Sequence, residues 1–441
     1  MRHYLTFKSG KIPRIDEVYE EFKNYTKNME TEKMDVSSIV EDIRIFSKYY
    51  CKMTLNQEVD TNLRKIFNDI RDLRVDVAYP MLLEVYHDYA LGKLDKEDFV
   101  VILKLVESFV FRRNVCAIPT NSLNKIFSSF MKNVNKDKYL ESVKAQFMLL
   151  TSYKRFPNDD EFSQRLKIID MYNIPRKGYW FRKVENYNRK EQVNTDEFSI
   201  EHIMPQNPNL SSKWKDSLGE EWERVHSTWL HTIGNLTLTG YNSEYSDRSF
   251  TEKRDMTNGF KDSPIKLNES LRSIETWNER SIIERADKLI AVALNVWSSP
   301  MLSDDILMSY KVETNVKSQY SIDDFVYLSE NSNQYASNVR RIFDALRKEI
   351  LSIDSVVVEE YLKLYIAFKA ETNFVDVIPQ AKRLRLSLNM PFPEINDPKF
   401  ICRDITNIGR WGNGDVEVGI SDLQDLPYIM SLIRQSFEYQ M

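Results

Sequence analysis

Three runs decide the reading of this chain: Phe198-Ser-Ile-Glu-His-Ile-Met-Pro-Gln206, then His231-Thr-Ile-Gly-Asn-Leu-Thr-Leu-Thr239, then Tyr241-Asn-Ser-Glu-Tyr-Ser-Asp-Arg-Ser-Phe-Thr-Glu-Lys253. The first is short and β-prone, and Pro205 ends it because proline cannot donate to a sheet ladder. The second resumes as a strand after Gly234-Asn235, and the third reads as a helix. The order is strand, loop, strand, helix. A carboxylate and an imidazole stand side by side on the first strand, as Glu201 and His202, and an amide, Asn235, opens the second.

Hydrolysis of a phosphodiester needs a base for water, a cation to stabilise the pentavalent charge, and groups that hold the phosphate in line. A neutral histidine can be that base near neutral pH, and His202 is the candidate. An imidazole acts in one tautomer only if its other nitrogen is held, and Asn235 is expected to help orient it. A hard cation such as Mg²⁺ keeps several waters, so one carboxylate and one amide oxygen are sufficient ligands; Glu201 and Asn242 fit that description. Lys253 and Arg254, a helical turn or more beyond, are expected at the flanking phosphates. His231 reads equally as a DNA contact or as a strand cap, and His226, in a Trp-flanked helical segment, reads as packing.

Outward from these runs, 441 residues exceed what one core usually serves, so two or three domains are expected. Residues 1–190 read as successive amphipathic helices at 36–52, 56–73, 78–90, 96–111, 121–134 and 137–150, a helical scaffold domain. Residues 191–299 break that pattern with Pro205, Pro208, Gly219, Gly234 and Gly240 and close on a strong helix from Asn278 to Val296. Residues 320–441 hold a helix over 336–351, β-prone runs at 362–368 and 383–388, a turn at Gly409–Gly414, a strand at 415–420 and a closing helix, an α+β accessory domain. The turn lacks the GxxxxGK of a phosphate loop, and a hairpin of 403–406 with 416–420 accounts for its glycines.

The net charge of −5 is an average over unlike segments. From Val101 to Lys190 there are 18 Lys/Arg against 8 Asp/Glu, an excess of ten that leaves −15 on the rest, so a basic middle could follow a phosphate backbone. Arg112-Arg113, at the end of an apolar helix, reads as structural. Three scattered cysteines form no CxxC pair, so neither a zinc ribbon nor a disulfide framework is indicated, and buried thiols are expected. No apolar stretch approaches the ~20 residues of a membrane span, and no signal core follows the N-terminus, so a cytoplasmic protein without a membrane partner is expected.

Glu-His-Ile-x-Pro-Gln, Gly-Asn-Leu-Thr-Leu, Tyr-Asn-Ser and Ser-Phe-x-x-Lys together resemble the HNH-like nuclease domain at the C-terminal end of GmrSD-like type IV, modification-dependent restriction endonucleases. The flanks are similar too: Arg2-His-Tyr-Leu-Thr and the run Lys11 to Lys23 look like the segment that follows a ParB-like nucleotide-hydrolysing domain, and 277–297 looks like the helix closing the nuclease. The resemblance implies a mainly α fold with α+β parts: a helical N-terminal domain, a His-Me finger (ββα) nuclease domain and a C-terminal α+β domain. It also implies Mg²⁺- or Mn²⁺-dependent cleavage of double-stranded foreign DNA, often base-modified phage DNA, with His202 as base and Asn235 in support. The residue before the histidine is commonly Asp in the wider group and is Glu201 here. The ParB-like domain is absent from these residues, so it is expected either as a separate NTPase subunit or as the missing part of a truncated member. Homo-oligomerisation through the third domain stays open. Two other classes remain: a catalytically silent DNA-binding or assembly subunit on the same fold, and a toxin-like or RNA-directed nuclease.

Overall fold

The computed structural model describes residues 1–31, 35–311, 320–329, 334–354, 357–370, 372–406 and 413–440. The chain is mainly α with α+β parts and forms two compact units, Met1–Tyr310 and Lys311–Met441.

In the first unit, helices run over Val36–Thr54, Thr61–Asp72, Tyr79–Ala90, Lys96–Val115, Leu123–Ser129 and Tyr139–Leu149. These are the six expected ones with trimmed or extended ends. Side-chain caps explain several starts: Asp35, Asp60 and Asp95 each accept a backbone N–H from the first turn. Helices at Arg2–Ser9, Val18–Thr31, Asp159–Ile168 and Lys177–Glu185 are additional. Lys96–Val115 lies at the centre, with Phe99, Leu103, Val106 and Val110 all buried at three- and four-residue spacing.

Arg112 and Arg113 are buried at the end of that helix. Arg112 donates to Trp297 O and Pro157 O and pairs with Asp159, while Arg113 donates to Tyr153 O, Pro119 O and Ser122 Oγ. They clamp loops rather than face solvent. The Trp297 indole stacks on Phe111 at 4.1 Å and donates to Tyr179 Oη. The same apolar core takes in Ile233, Leu236, Leu238, Ala286 and Leu289, so it runs unbroken across position 190, where a domain boundary is expected from sequence.

Strands β1 (Ser199–His202) and β2 (Leu236–Thr239) pair antiparallel, with Glu201 opposite Thr237 and His202 opposite Leu236. The connection between them carries helices Ser212–Leu218 and Trp222–Trp229, and a second core gathers Trp214, Trp229, Trp277, Ile203, Met204 and Phe250. The single helix expected over 241–253 is two: Asn242–Tyr245 and Phe250–Asp255. Ser246 takes φ 42, which stops the first, and Ser249 with Glu252 forms a capping box that starts the second. Helix Glu279–Val296 then packs beneath the hairpin.

The second unit holds β3 (Val358–Tyr361), β4 (Ile366–Lys369), β5 (Asn373–Pro379), β6 (Leu384–Leu388), β7 (Arg403–Asp404) and β8 (Val416–Ile420). Among the described residues they form one antiparallel sheet in the order β3-β4-β5-β6-β8-β7. Ile366, Phe368, Val375, Val377, Leu384, Leu386, Val416 and Val418 enter one core with helices Gln334–Leu351 and Leu426–Gln440. The expected hairpin of β7 with β8 is present; residues 407–412 of its turn, with Arg410 and Trp411, lie outside the described residues.

Candidate active site

Asn235 is fully buried at the start of β2. Its Oδ1 accepts from Met204 N at 2.8 Å and from the Trp277 indole at 3.2 Å, and its Nδ2 donates to Met204 O and Leu230 O, both at 3.0 Å. One amide therefore locks the backbone two residues past His202 to the loop before β2. It braces the hairpin, whereas the partner of the imidazole is a different residue. Gly234 is required beside it: a Cβ there would lie 2.4 Å from Ile282 O. Arg285, buried on helix Glu279–Val296, donates to Ile233 O, Gly234 O, Leu236 O and Leu267 O, so a guanidinium with a carbonyl cage secures the same turn. Burial pushes it down to about 9.

His202 is buried at the end of β1, and its Nε2 lies 3.0 Å from His231 Nδ1. The Tyr172 ring meets His202 edge-on at 4.5 Å and stacks on His231 at 5.4 Å and 13°. Lys177 Nζ sits 3.8 Å from the centre of the Tyr172 ring. Burial first, then the neighbouring charges of His231, Lys253 and Lys177, hold the His202 imidazole down at about 3, so it is neutral at physiological pH.

Glu201 points the other way. Its Oε1 receives the Lys253 ammonium at 2.6 Å, and that ammonium also donates to His202 O and Ile203 O. Lys253 is fully buried, so it does not present a cation to a phosphate: desolvation is offset only because Glu201 and two carbonyls surround it. Burial pushes the Glu201 carboxyl up and the Lys253 ammonium down, each against its partner's charge. Arg254 is likewise engaged, by Asp255, Glu275 and Ile274 O, and holds the loop at 274–275. Neither cation stands free at the expected phosphate positions.

Asn242 donates Nδ2 to Ile200 O at 2.9 Å, tying the short helix to β1. Among the described residues no group of three or more His, Cys, Asp or Glu could hold a metal. The oxygens not engaged above, Glu201 Oε2 and Asn242 Oδ1, are hard donors of the kind a hydrated Mg²⁺ or Mn²⁺ accepts. His226 Nε2 meets Pro205 O and serves packing.

The basic run also has structural uses. Lys136, Lys138, Arg155, Lys167, Arg182, Lys183 and Arg189 pair with carboxylates, and Arg112 and Arg113 are buried. Tyr172 and Lys177 join the site without a signal in the sequence. They lie in the irregular run Asp170-Met-Tyr-Asn-Ile-Pro-Arg-Lys177, which has neither period two nor period 3.6. Met171 N–H to His231 O, at 2.9 Å, is the contact that carries this run into the site.

Residues 156–292 match the family described as GmrSD restriction endonucleases, C-terminal domain, and residues 329–440 match a domain of unknown function, DUF5655. A Haemophilus influenzae protein, itself uncharacterized, is 30% identical over 193 residues, which cover 43% of this chain and 58% of that protein. The chain thus matches little more than half the length of this relative. The matched segment starts early enough to include Tyr172 and Lys177 and runs far enough to include Arg285. The β1–β2 pair, its Asn235 brace and the His202–His231 pair all lie within the segment that is similar to the GmrSD C-terminal domain.

Proposed function

We propose that this domain is a metal-dependent DNA endonuclease centre that cuts foreign, base-modified phage DNA in the cytoplasm, with His202 as general base. The observation that carries the reading is a buried imidazole at the end of β1 whose Nε2 lies 3.0 Å from His231 Nδ1. With Nε2 held, Nδ1 of His202 takes a proton from water. Asn235 and Arg285 keep the end of β1 and the start of β2 rigid, so the ring does not drift from the attacking water. Glu201 and Asn242 would hold Mg²⁺ or Mn²⁺. When bound, such an ion stabilises the pentavalent phosphate and the leaving 3′-oxygen. A phosphate brought beside His202 adds negative charge, which raises the imidazole's proton affinity from its low value in the free site. Lys177, whose Nζ lies 3.8 Å from the centre of the Tyr172 ring and donates to Tyr172 O, takes the phosphate-contact role expected of Lys253 and Arg254. A ParB-like NTPase subunit or domain is the proposed partner, and the second unit is the proposed element for recognising a modification or joining protomers.

A silent DNA-binding or assembly subunit is the second reading, and one observation favours it: Lys253 already neutralises Glu201. Cleavage of unmodified, hydroxymethylated and glucosylated DNA with Mg²⁺, Mn²⁺ or EDTA separates the two. Metal-dependent cutting supports the nuclease; tight binding without cutting under every condition, including added NTPase partner, supports the silent subunit.

A further inference from the structure

We propose that His231 is a positioning residue that holds the His202 imidazole in the one tautomer able to accept a proton. This rests on the nuclease reading above and assigns the second imidazole of the same site a role other than DNA contact.

His202 Nε2 and His231 Nδ1 are 3.0 Å apart, a distance that requires one proton between them. Two arrangements satisfy it. If His202 Nε2–H donates to His231 Nδ1, His202 keeps a lone pair on Nδ1, and His231 carries its proton on Nε2. If His231 Nδ1–H donates instead, the lone pair of His202 Nε2 is occupied and its proton sits on Nδ1. That ring has no nitrogen left to deprotonate water. Only the first arrangement is a base, and it needs an acceptor at the His231 Nδ1 position.

The surroundings fix that acceptor in place. The His231 ring lies nearly parallel to Tyr172, 13° off, and Lys177 caps the Tyr172 ring. The His231 carbonyl accepts from Met171 N at 2.9 Å, so the backbone is tied to the same segment. A ring held by stacking and by its own main chain is oriented before substrate arrives. Because its Nδ1 is occupied by His202, that atom is not available to a phosphate or a base.

The test uses the full chain labelled with ¹⁵N-histidine, which carries five imidazoles. Long-range proton–nitrogen correlation reports which ring nitrogen is protonated, and His202→Gln assigns the signal. Cleavage of plasmid DNA with Mn²⁺ is measured in parallel. Wild type is expected to show the Nε2–H tautomer at His202. His231→Leu should lose that preference and lower kcat by about tenfold to a hundredfold with KM unchanged, the usual cost of removing the group that orients an imidazole. His231→Asn, which puts an amide oxygen where Nδ1 stands, should restore the tautomer and most of kcat. An Nδ1–H tautomer in wild type overturns the proposal. So does a His231→Leu variant that raises KM at unchanged kcat, since that marks a DNA contact. If wild type binds DNA but does not cut it even with the NTPase partner added, the nuclease reading fails by itself, and the tautomer measurement still decides the role of His231.

Discussion

Met204 N–H, Met204 O, Leu230 O and the Trp277 indole all bond to the Asn235 amide, so truncation would strand four polar groups in a buried site. Asn235→Ala is therefore expected to cost about 2–4 kcal/mol in chemical denaturation, more than a surface substitution can. A change within about 0.5 kcal/mol would show that the brace is not formed. Gly234→Ala should act in the same direction, because Ile282 O occupies the space a Cβ needs. At this scale the pattern singled out Glu201, His202 and Asn235 as positions, but Asn235, expected to orient the imidazole, bonds Met204, Leu230 and Trp277 instead, and His231 meets His202. The pattern was misleading for Lys253 and Arg254. A lysine at the end of a polar helix reads as a surface cation, and only the fold shows Glu201 and two carbonyls closing around its ammonium.

Helix Glu279–Val296 reaches the hairpin through Arg285, whose guanidinium meets four carbonyls and no carboxylate. Arg285→Met keeps the volume and leaves those carbonyls without their donor. It should destabilise the first unit by about 3 kcal/mol or more, while Arg285→Lys recovers part of the loss. Equal stability of Arg285→Met and wild type in urea would contradict the cage. On β5 of the second unit, burial raises the Asp376 carboxyl to about 6, against hydrogen bonds from Asn413 N–H and the Asn373 amide. The folded state then binds a proton more tightly than the unfolded state. The second unit should gain stability as pH falls from about 6 toward 4, by roughly 2–3 kcal/mol, and hold level above about 7. Thermal scans across that range that show falling stability would oppose the assignment. Long helices such as Lys96–Val115 were legible from their periodicity. The helix over 241–253 was not read correctly, because its interruption depends on one backbone angle at Ser246. Nor was β5, whose near-continuous apolar run has no alternation to mark it.

Across the whole chain, Met1–Tyr310 and Lys311–Met441 are separate compact units with separate cores. Calorimetry of the intact chain should resolve two unfolding transitions, of which Arg285→Met lowers one and the pH shift at Asp376 moves the other. A single transition moved by both would mean that the cores are one cooperative body. The helices and the β1–β2 pair, in contrast, share a core with Trp297 and Phe111 and are joined by the Arg112 clamp, so the strand pair is expected to unfold when the helices do. Sequence periodicity located the helices but could not show this, because the contacts join residues nearly two hundred positions apart. His202, held at the end of β1, is the proposed base of a metal-dependent DNA nuclease. The most direct test of that role compares wild type with His202→Ala for Mn²⁺-dependent cleavage of modified and unmodified DNA, with binding measured on the same samples. Wild type is expected to cut in a manner that EDTA abolishes, and the variant to lose about 10²–10⁴ in rate with unchanged binding. Equal cleavage by the two proteins would contradict that role.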